Sequence, residues 1–231
     1  MQSNLPQPKL WVLRTGRVFA ALFYWLYFRL RCEKNSRQIV QWATQPRPVI
    51  VVFNHSSHLD VPALGLCLGE KVMGRALMPG KKELFQVPLL RWCLWSCGAI
   101  PLDRDLRDLR AVRTLLRGIQ SGRILLMAPE GTRSPDGRVR PFKAGFVKIA
   151  QRANALIIPV GIQGAAEALP KGGKFPKPRS LTVRVGAPID VVAQLPEKPS
   201  LTDYEALSER IRQQVITLAG KDQSSENSTA P

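Results

Sequence analysis

Short apolar runs rich in β-branched residues alternate along this chain with stretches of helical period, and no other feature limits its fold so tightly. Val49-Ile-Val-Val-Phe53 is apolar on both faces, the pattern of a strand buried inside a sheet. Arg123 to Met127, Ala155 to Ile162 and Leu181 to Val185 read the same way. Residues 104–121 place Leu106, Leu109, Val112, Leu116 and Ile119 on one helical face, with arginines opposite. Residues 61–69 and 143–153 also read as helices, and Thr202-Asp-Tyr-Glu205 has the form of a capping box opening a last helix to about Leu218. This alternation predicts an α/β fold, a single domain whose central, largely parallel sheet is flanked by helices. Ligands of such sheets bind at the carboxyl ends of the strands. His55 follows one predicted strand and Glu130 another, so both are expected at that edge.

The 231 residues, 45% of them hydrophobic, suffice to bury a core, which excludes global disorder. No apolar run is long enough for a multi-span membrane protein. We expect a membrane-associating helical segment over residues 1–45, the main domain over 46–219 and a disordered, Ser-rich tail over 220–231. In the first segment the run Val18 to Phe28 lies between Arg14/Arg17 and Arg29/Arg31. At ~1.5 Å per residue it spans roughly 16 Å, short of the ~30 Å hydrocarbon core. Its aromatic residues and flanking arginines suit a helix lying in the membrane interface. An ordinary core helix and a tilted span stay open as alternatives, and no small-residue cleavage site marks a signal peptide.

The 34 Lys+Arg against 17 Asp+Glu give a formal charge of +17. Such a surface prefers polyanions: nucleic acid, anionic lipid headgroups or phosphorylated substrates. No recognised nucleic-acid motif is present, so the first class is set aside. The four cysteines, Cys32, Cys67, Cys93 and Cys97, form no C-x-x-C pair and read as core thiols in a reducing compartment.

Both histidines fall in Asn54-His55-Ser56-Ser57-His58-Leu59-Asp60. A histidine at a strand end can have a carboxylate from the following helix start folded back beneath it, which would fix its tautomer and stabilise the imidazolium. No G-x-S-x-G elbow supplies a nucleophile. The pair His55–Asp60 is therefore either structural or a base that deprotonates a substrate hydroxyl directly. A metal site from His55, His58 and Asp60 lacks further ligands, and none is expected. His58 more naturally caps or packs. Pro129-Glu-Gly-Thr-Arg-Ser134 sits on a post-strand loop, where Arg133 offers a planar fork for phosphate oxygens, Gly131 a close backbone approach and Thr132 a hydroxyl. Glu130 would orient Arg133 or bond a substrate hydroxyl; the alternative is a surface turn with an ion pair. Lys81, Lys82 and Arg104 are further cations that could converge there.

Together these blocks resemble the glycerolipid acyltransferase family, and within it the 1-acylglycerol-3-phosphate acyltransferases. Asn54 to Asp60 fits N-H-x-S-x-x-D, Gly98 to Arg104 the second block, Pro129 to Ser134 the third without a change, and Ile157-Ile-Pro-Val160 the fourth. Lys81-Lys-Glu-Leu-Phe85, Pro88 and Phe142-Lys-Ala-Gly145 also look like family segments, and coverage runs from about residue 46 to 190. The resemblance implies acyl transfer from acyl-CoA or acyl carrier protein to the sn-2 hydroxyl of lysophosphatidic acid, with no cofactor besides the acyl thioester. It carries over His55 as general base, Asp60 as its orienting partner, and Lys81, Arg104, Glu130, Gly131, Thr132 and Arg133 as acceptor-binding residues. Pro159 is carried over toward structure or the acyl site. It also implies an anionic membrane surface as partner, with the site on the cytoplasmic side. Pro101 and Ala128 depart from the family pattern, each standing where phenylalanine is usual. They keep open another lyso-acceptor, such as a lyso-ornithine lipid, another lysophospholipid or a glycolipid. A thioesterase using Ser57 or water is a further alternative.

Overall fold

A computed structural model describes residues 9–33, 38–43, 45–101 and 109–220, so the expected tail lies outside the described residues from position 221. The strands are β1 (Arg31–Cys32), β2 (Val49–Phe53), β3 (Ala76–Gly80), β4 (Ala99–Pro101), β5 (Ile124–Met127), β6 (Leu156–Gln163), β7 (Thr182–Val185) and β8 (Ile189–Asp190). They form one sheet in the order β1-β7-β6-β2-β5-β3-β4, with β8 also on β6. The five strands β6-β2-β5-β3-β4 are mutually parallel, while β7 and β8 run antiparallel to β6. The expected largely parallel sheet is thus present. Its antiparallel edge and the two-residue strands β1 and β8 have no periodic signal in so few residues.

Helices cover both faces. On one lie α1 (Leu10–Tyr27), α2 (Gln38–Ala43) and α3 (Asp60–Met73), packed on Val49, Val51, Leu126 and Ile158. On the other lie α5 (Leu109–Gln120), α6 (Gly145–Arg152) and α9 (Leu201–Leu218), packed on Ile50, Val52, Leu125 and Ile157. Alternate residues of β2 and β5 thereby feed separate cores, which is why their runs are apolar without interruption. The remaining α-helices are α4 (Pro88–Ser96), α7 (Ala165–Ala168) and α8 (Val191–Gln194), and Lys82–Phe85 form a 3-10 turn after β3.

Several expectations shift. The expected helix 104–121 is described from Leu109, and it buries Ala111, Leu115 and Ile119 while Val112 and Leu116 are half-buried; Leu106 lies outside the described residues. The last helix starts earlier than expected, because Ser200 and Asp203 form its capping box rather than Thr202 and Glu205. Ser200 is extended, as a cap must be. Cys32 and Cys67 are joined in a disulfide, which overturns their reading as core thiols; the fold brings β1 onto α3 across 35 residues of sequence. Cys97 keeps its thiol and packs against the core, and the Cys93 side chain lies outside what is described.

The helix α1 is not an ordinary core helix. Tyr24 and Phe28 are buried, but Val18, Phe19, Leu22, Trp25 and Leu26 are exposed. Its arginines reach along α3: Arg14, itself exposed, pairs with Glu70 at 2.8 Å and the half-buried Arg17 reaches the Leu66 carbonyl at 3.4 Å. Among the described residues no helix is long and apolar enough to cross a membrane.

Candidate active site

The predicted histidine lies at the carboxyl end of β2, the middle strand of the sheet. Asn54 continues the strand with its side chain: the amide donates to the Ile162 carbonyl at 2.9 Å and accepts from the Ile162 N–H at 2.8 Å. This two-bond mimic of a ladder pins the chain to β6 just as the backbone turns away. The turn puts Asp60 in the first turn of α3, directly beneath His55. Asp60 is fully buried. Its Oδ2 accepts from His55 Nδ1 at 2.9 Å and from the backbone N–H groups of Ser56 and Ser57, each at 2.7 Å. With Nδ1 donating to the carboxylate, Nε2 carries the lone pair. Tyr24 of α1 backs this arrangement, its hydroxyl donating to the Leu59 carbonyl at 3.3 Å. Burial, and then the charge of Asp60, push the Tyr24 phenol well above its ordinary pKa.

The third block clamps the backbone of the first. Glu130, following β5, accepts the His55 N–H at 2.9 Å with Oε1 and the Arg140 N–H at 3.3 Å with Oε2. The Ser134 N–H donates to the His55 carbonyl at 2.8 Å. Glu130 therefore does not orient Arg133, as the sequence suggested; it braces the histidine's own backbone. Nor is the loop a surface turn, since Glu130 is buried. Burial pushes its carboxyl up to about 7, against the pull of the two N–H donors.

That shift has a testable consequence. The folded-state pKa lies above the unfolded one, so the stabilisation is complete below about 4.5 and is lost as pH rises through about 7. Glu130→Gln cannot ionise, so its stability relative to wild type should rise between pH 4.5 and 8, by an amount on the order of 3 kcal/mol. Denaturant melts of both proteins across this range measure it. Parallel pH profiles would show that the carboxyl titrates normally.

Gly131 adopts φ +74°, the left-handed region that a side chain resists, and a Cβ there would come within 3.7 Å of the Lys143 ammonium. The Lys143 N–H in turn donates to the Pro129 carbonyl at 3.2 Å. His55, Gly131 and Lys143 line one end of a cavity of about 110 Å³ whose other walls, including Val61, Met78 and Ala128, are apolar. A second apolar groove of about 270 Å³ between α1 and α3 shares Val61 and Met78 with it. The sequence does not mark Lys143 as a site residue, though its segment Phe142 to Gly145 stands out; its approach to Gly131 is a tertiary fact.

The other predicted residues divide. Thr132 and Arg133 are half-buried beside Gly131, and Arg133 lies close enough to His58 for its charge, after partial desolvation, to lower that histidine's pKa. Lys81 follows β3 at the same sheet edge but is exposed and does not line the cavity. Arg104 lies outside the described residues. His58 is exposed, though partly desolvated, and its side chain does not cap α3. Ser57 is buried, with its hydroxyl donating to the Leu169 carbonyl at 2.8 Å, so it does not present a nucleophile. Pro159 sits inside β6 opposite Val52, between the stretches paired with β8 and β7, where a missing N–H is tolerated. Its place is structural. Among the described residues no cluster of three or more His, Cys, Asp or Glu is placed to hold a metal ion.

Chemically, a buried carboxylate, an oriented imidazole with its Nε2 lone pair available and a mostly apolar cavity with Lys143 in its lining suit proton abstraction from a hydroxyl on an amphiphile. Comparison with known proteins fits this geometry. The Acyltransferase family model matches residues 31–163. The 1-acyl-sn-glycerol-3-phosphate acyltransferase of Bacillus subtilis is 30% identical over 167 residues, 71% of this chain and 79% of that protein. A chloroplastic 1-acyl-sn-glycerol-3-phosphate acyltransferase of Arabidopsis thaliana is 30% identical over 69% of this chain. The chain spans about half the length of several such relatives, 43% of the Arabidopsis protein and 55% of one from Saccharomyces cerevisiae. The crystal structure of the 1-acyl-sn-glycerophosphate (LPA) acyltransferase PlsC from Thermotoga maritima superposes with a TM-score of 0.69 at 28% identity, covering 90% of this chain and 80% of that one.

Proposed function

The chain belongs to the acyltransferase family, and from that premise we propose that it transfers a fatty acyl group from acyl-CoA or acyl carrier protein to the sn-2 hydroxyl of 1-acyl-glycerol-3-phosphate, giving phosphatidic acid. The observation that carries the reading is the 2.9 Å contact of His55 Nδ1 with the buried Asp60, at the mouth of an apolar cavity. His55 Nε2 takes the proton of the acceptor hydroxyl as its oxygen attacks the thioester carbonyl. Asp60 stabilises the imidazolium that forms. The tetrahedral intermediate collapses with loss of the thiolate, whose conjugate thiol has a pKa of roughly 8.5, and the imidazolium returns its proton to that sulfur. No acyl-enzyme and no cofactor are needed. The N–H groups of His55, Ser56 and Ser57 are already spent on Glu130 and Asp60, so the oxyanion's donors lie elsewhere.

Arg133, with Thr132, Gly131 and Lys143 beside it, is assigned to the acceptor phosphate, and Lys81 and Arg104 to the same cationic rim. The two apolar cavities, which share Val61 and Met78 as lining, would take acyl chain. The exposed apolar face of α1 would lie in the membrane interface and hold the site at the cytoplasmic leaflet, where substrate and product reside.

The test is a radiolabelled transfer assay with lysophosphatidic acid, acyl-CoA and acyl carrier protein donors being run separately. Label in phosphatidic acid supports the reading; label in free fatty acid alone would make the protein a thioesterase. Arg133→Ala should raise the apparent KM for lysophosphatidic acid by roughly 10- to 100-fold, the loss of one charge-assisted contact, with kcat little changed. Unchanged kinetic constants would remove Arg133 from the phosphate site. Ala128 favours a second reading. It lines the cavity at a position where the family pattern has phenylalanine, and the smaller side chain would leave room beside His55 for a bulkier lyso-acceptor. The same assay run over a panel of lyso-acceptors decides between them.

A further inference from the structure

We propose that the loop over residues 170–180 is a second membrane-docking element, one that binds anionic headgroups and inserts Phe175 into the bilayer interface. The inference rests on the acyltransferase reading only for the direction in which the site must face. The loop reads PKGGKFPKPRS, with Lys171, Lys174, Lys177 and Arg179 and no acidic residue. All four cations are exposed. Phe175, directly after one of the lysines, is 83% exposed, the most of any large hydrophobic side chain among the described residues. A single exposed apolar residue is ordinary. One held at the tip of a cationic loop is the pairing that anionic lipid surfaces select, because charge draws the loop in and the ring then leaves water.

The loop is held rather than loose. The Lys177 N–H donates to the Ala168 carbonyl at 2.7 Å and the Gly173 N–H to the Pro170 carbonyl at 2.9 Å. The Tyr27 hydroxyl at the end of α1 donates to the Pro176 carbonyl at 2.8 Å, so the loop abuts the helix whose apolar face is exposed. The two elements are complementary. The helix offers mainly apolar side chains, with Arg14 paired to Glu70 and Arg17 bonded to the Leu66 carbonyl of α3; the loop offers four exposed cations and no acidic residue. Burial of the helix's apolar face favours neutral and anionic surfaces alike, and the loop's four cations add most of the preference for the anionic one. The loop also reaches the site: Ser57 Oγ donates to the Leu169 carbonyl at 2.8 Å, and Lys171 Nζ donates to the Arg133 carbonyl at 3.4 Å. Docking the loop would therefore set Arg133 near the headgroup plane.

Co-sedimentation of the full chain with vesicles tests this, using phosphatidylcholine alone against equal parts phosphatidylcholine and phosphatidylglycerol. Wild type should prefer the anionic vesicles. Lys174→Ala/Lys177→Ala should lower anionic-vesicle affinity about 30-fold, at roughly fivefold per cation, and leave binding to neutral vesicles unchanged. Phe175→Ala should weaken binding to both by about tenfold. Transfer to a short-chain, water-soluble lysophosphatidic acid should be unaffected in either variant. Equal anionic binding by the double variant and wild type, or no anionic preference in wild type, overturns the proposal. So does normal vesicle binding with a selective loss of transfer from acyl carrier protein, which would make the loop a protein dock. Vesicle binding is read without turnover, so absence of transfer in wild type would count against the enzyme reading alone.

Discussion

His55→Ala is expected to reduce acyl transfer by about 10⁴-fold while leaving the protein folded. A positioned general base typically contributes ~10²–10⁴-fold. The upper end applies because, among the described residues, Lys143 has the only other titratable side chain lining the cavity, and the nearby Glu130 is turned to the backbone. The fold should survive, since the imidazole is 16% exposed and its loss leaves Asp60 Oδ2 with two backbone donors. A steady-state transfer assay with a thermal melt of the same preparation measures both quantities. Residual turnover within tenfold of wild type would mean that the hydroxyl is deprotonated by something else, and the proposed mechanism would fall.

The parts of this molecule that are legible in its sequence are those in which neighbours in the chain are also neighbours in space. Strand β2 reads as buried because both its faces meet a core. His55 and Asp60 are legible together because a tight turn and the first turn of a helix close the five-residue step between them. Glu130 falls at the expected sheet edge, since it follows a parallel strand, but its partner differs from the expected one. Its charge suggests Arg133 nearby in the chain, whereas the structure gives it the N–H of His55, 75 residues away. The Cys32–Cys67 bond and the hold of Tyr24 on the Leu59 carbonyl share that character: each joins elements that only the assembled fold brings together. Lys143 meets Gly131 within one loop, between β5 and α6, whose path the residues do not reveal. The loop over residues 170–180 escapes sequence reasoning for another reason. Its lysines read as ordinary solvated charge, and only the exposure of Phe175 and the Tyr27 contact single it out.

Asp60 should prove costlier to the molecule than His55, and two substitutions separate its duties. Asp60→Ala strips the partner from the N–H groups of Ser56 and Ser57, both buried. At ~1–3 kcal/mol for each unsatisfied donor, it should lose about 2–6 kcal/mol of stability, a large share of the ~5–15 kcal/mol that holds a typical domain. Its activity should fall as far as that of His55→Ala, since the imidazole loses its orienting partner. Asp60→Asn is the sharper probe. Its carbonyl oxygen can take the place of Oδ2 and keep all three donors, because the reverse orientation would press an amide NH₂ against two N–H groups. The amide then occupies the place of Oδ1, which is buried and has no hydrogen-bond partner, at a cost of about 1–3 kcal/mol. Geometry and tautomer are retained and only the negative charge is lost, so the fall in kcat, expected near ~10²-fold, reads the stabilisation of the imidazolium by itself. Chemical denaturation beside steady-state kinetics distinguishes the two variants. If Asp60→Asn turned over like wild type, the carboxylate would be a brace for the turn, and the charge beneath His55 would have no part in the chemistry.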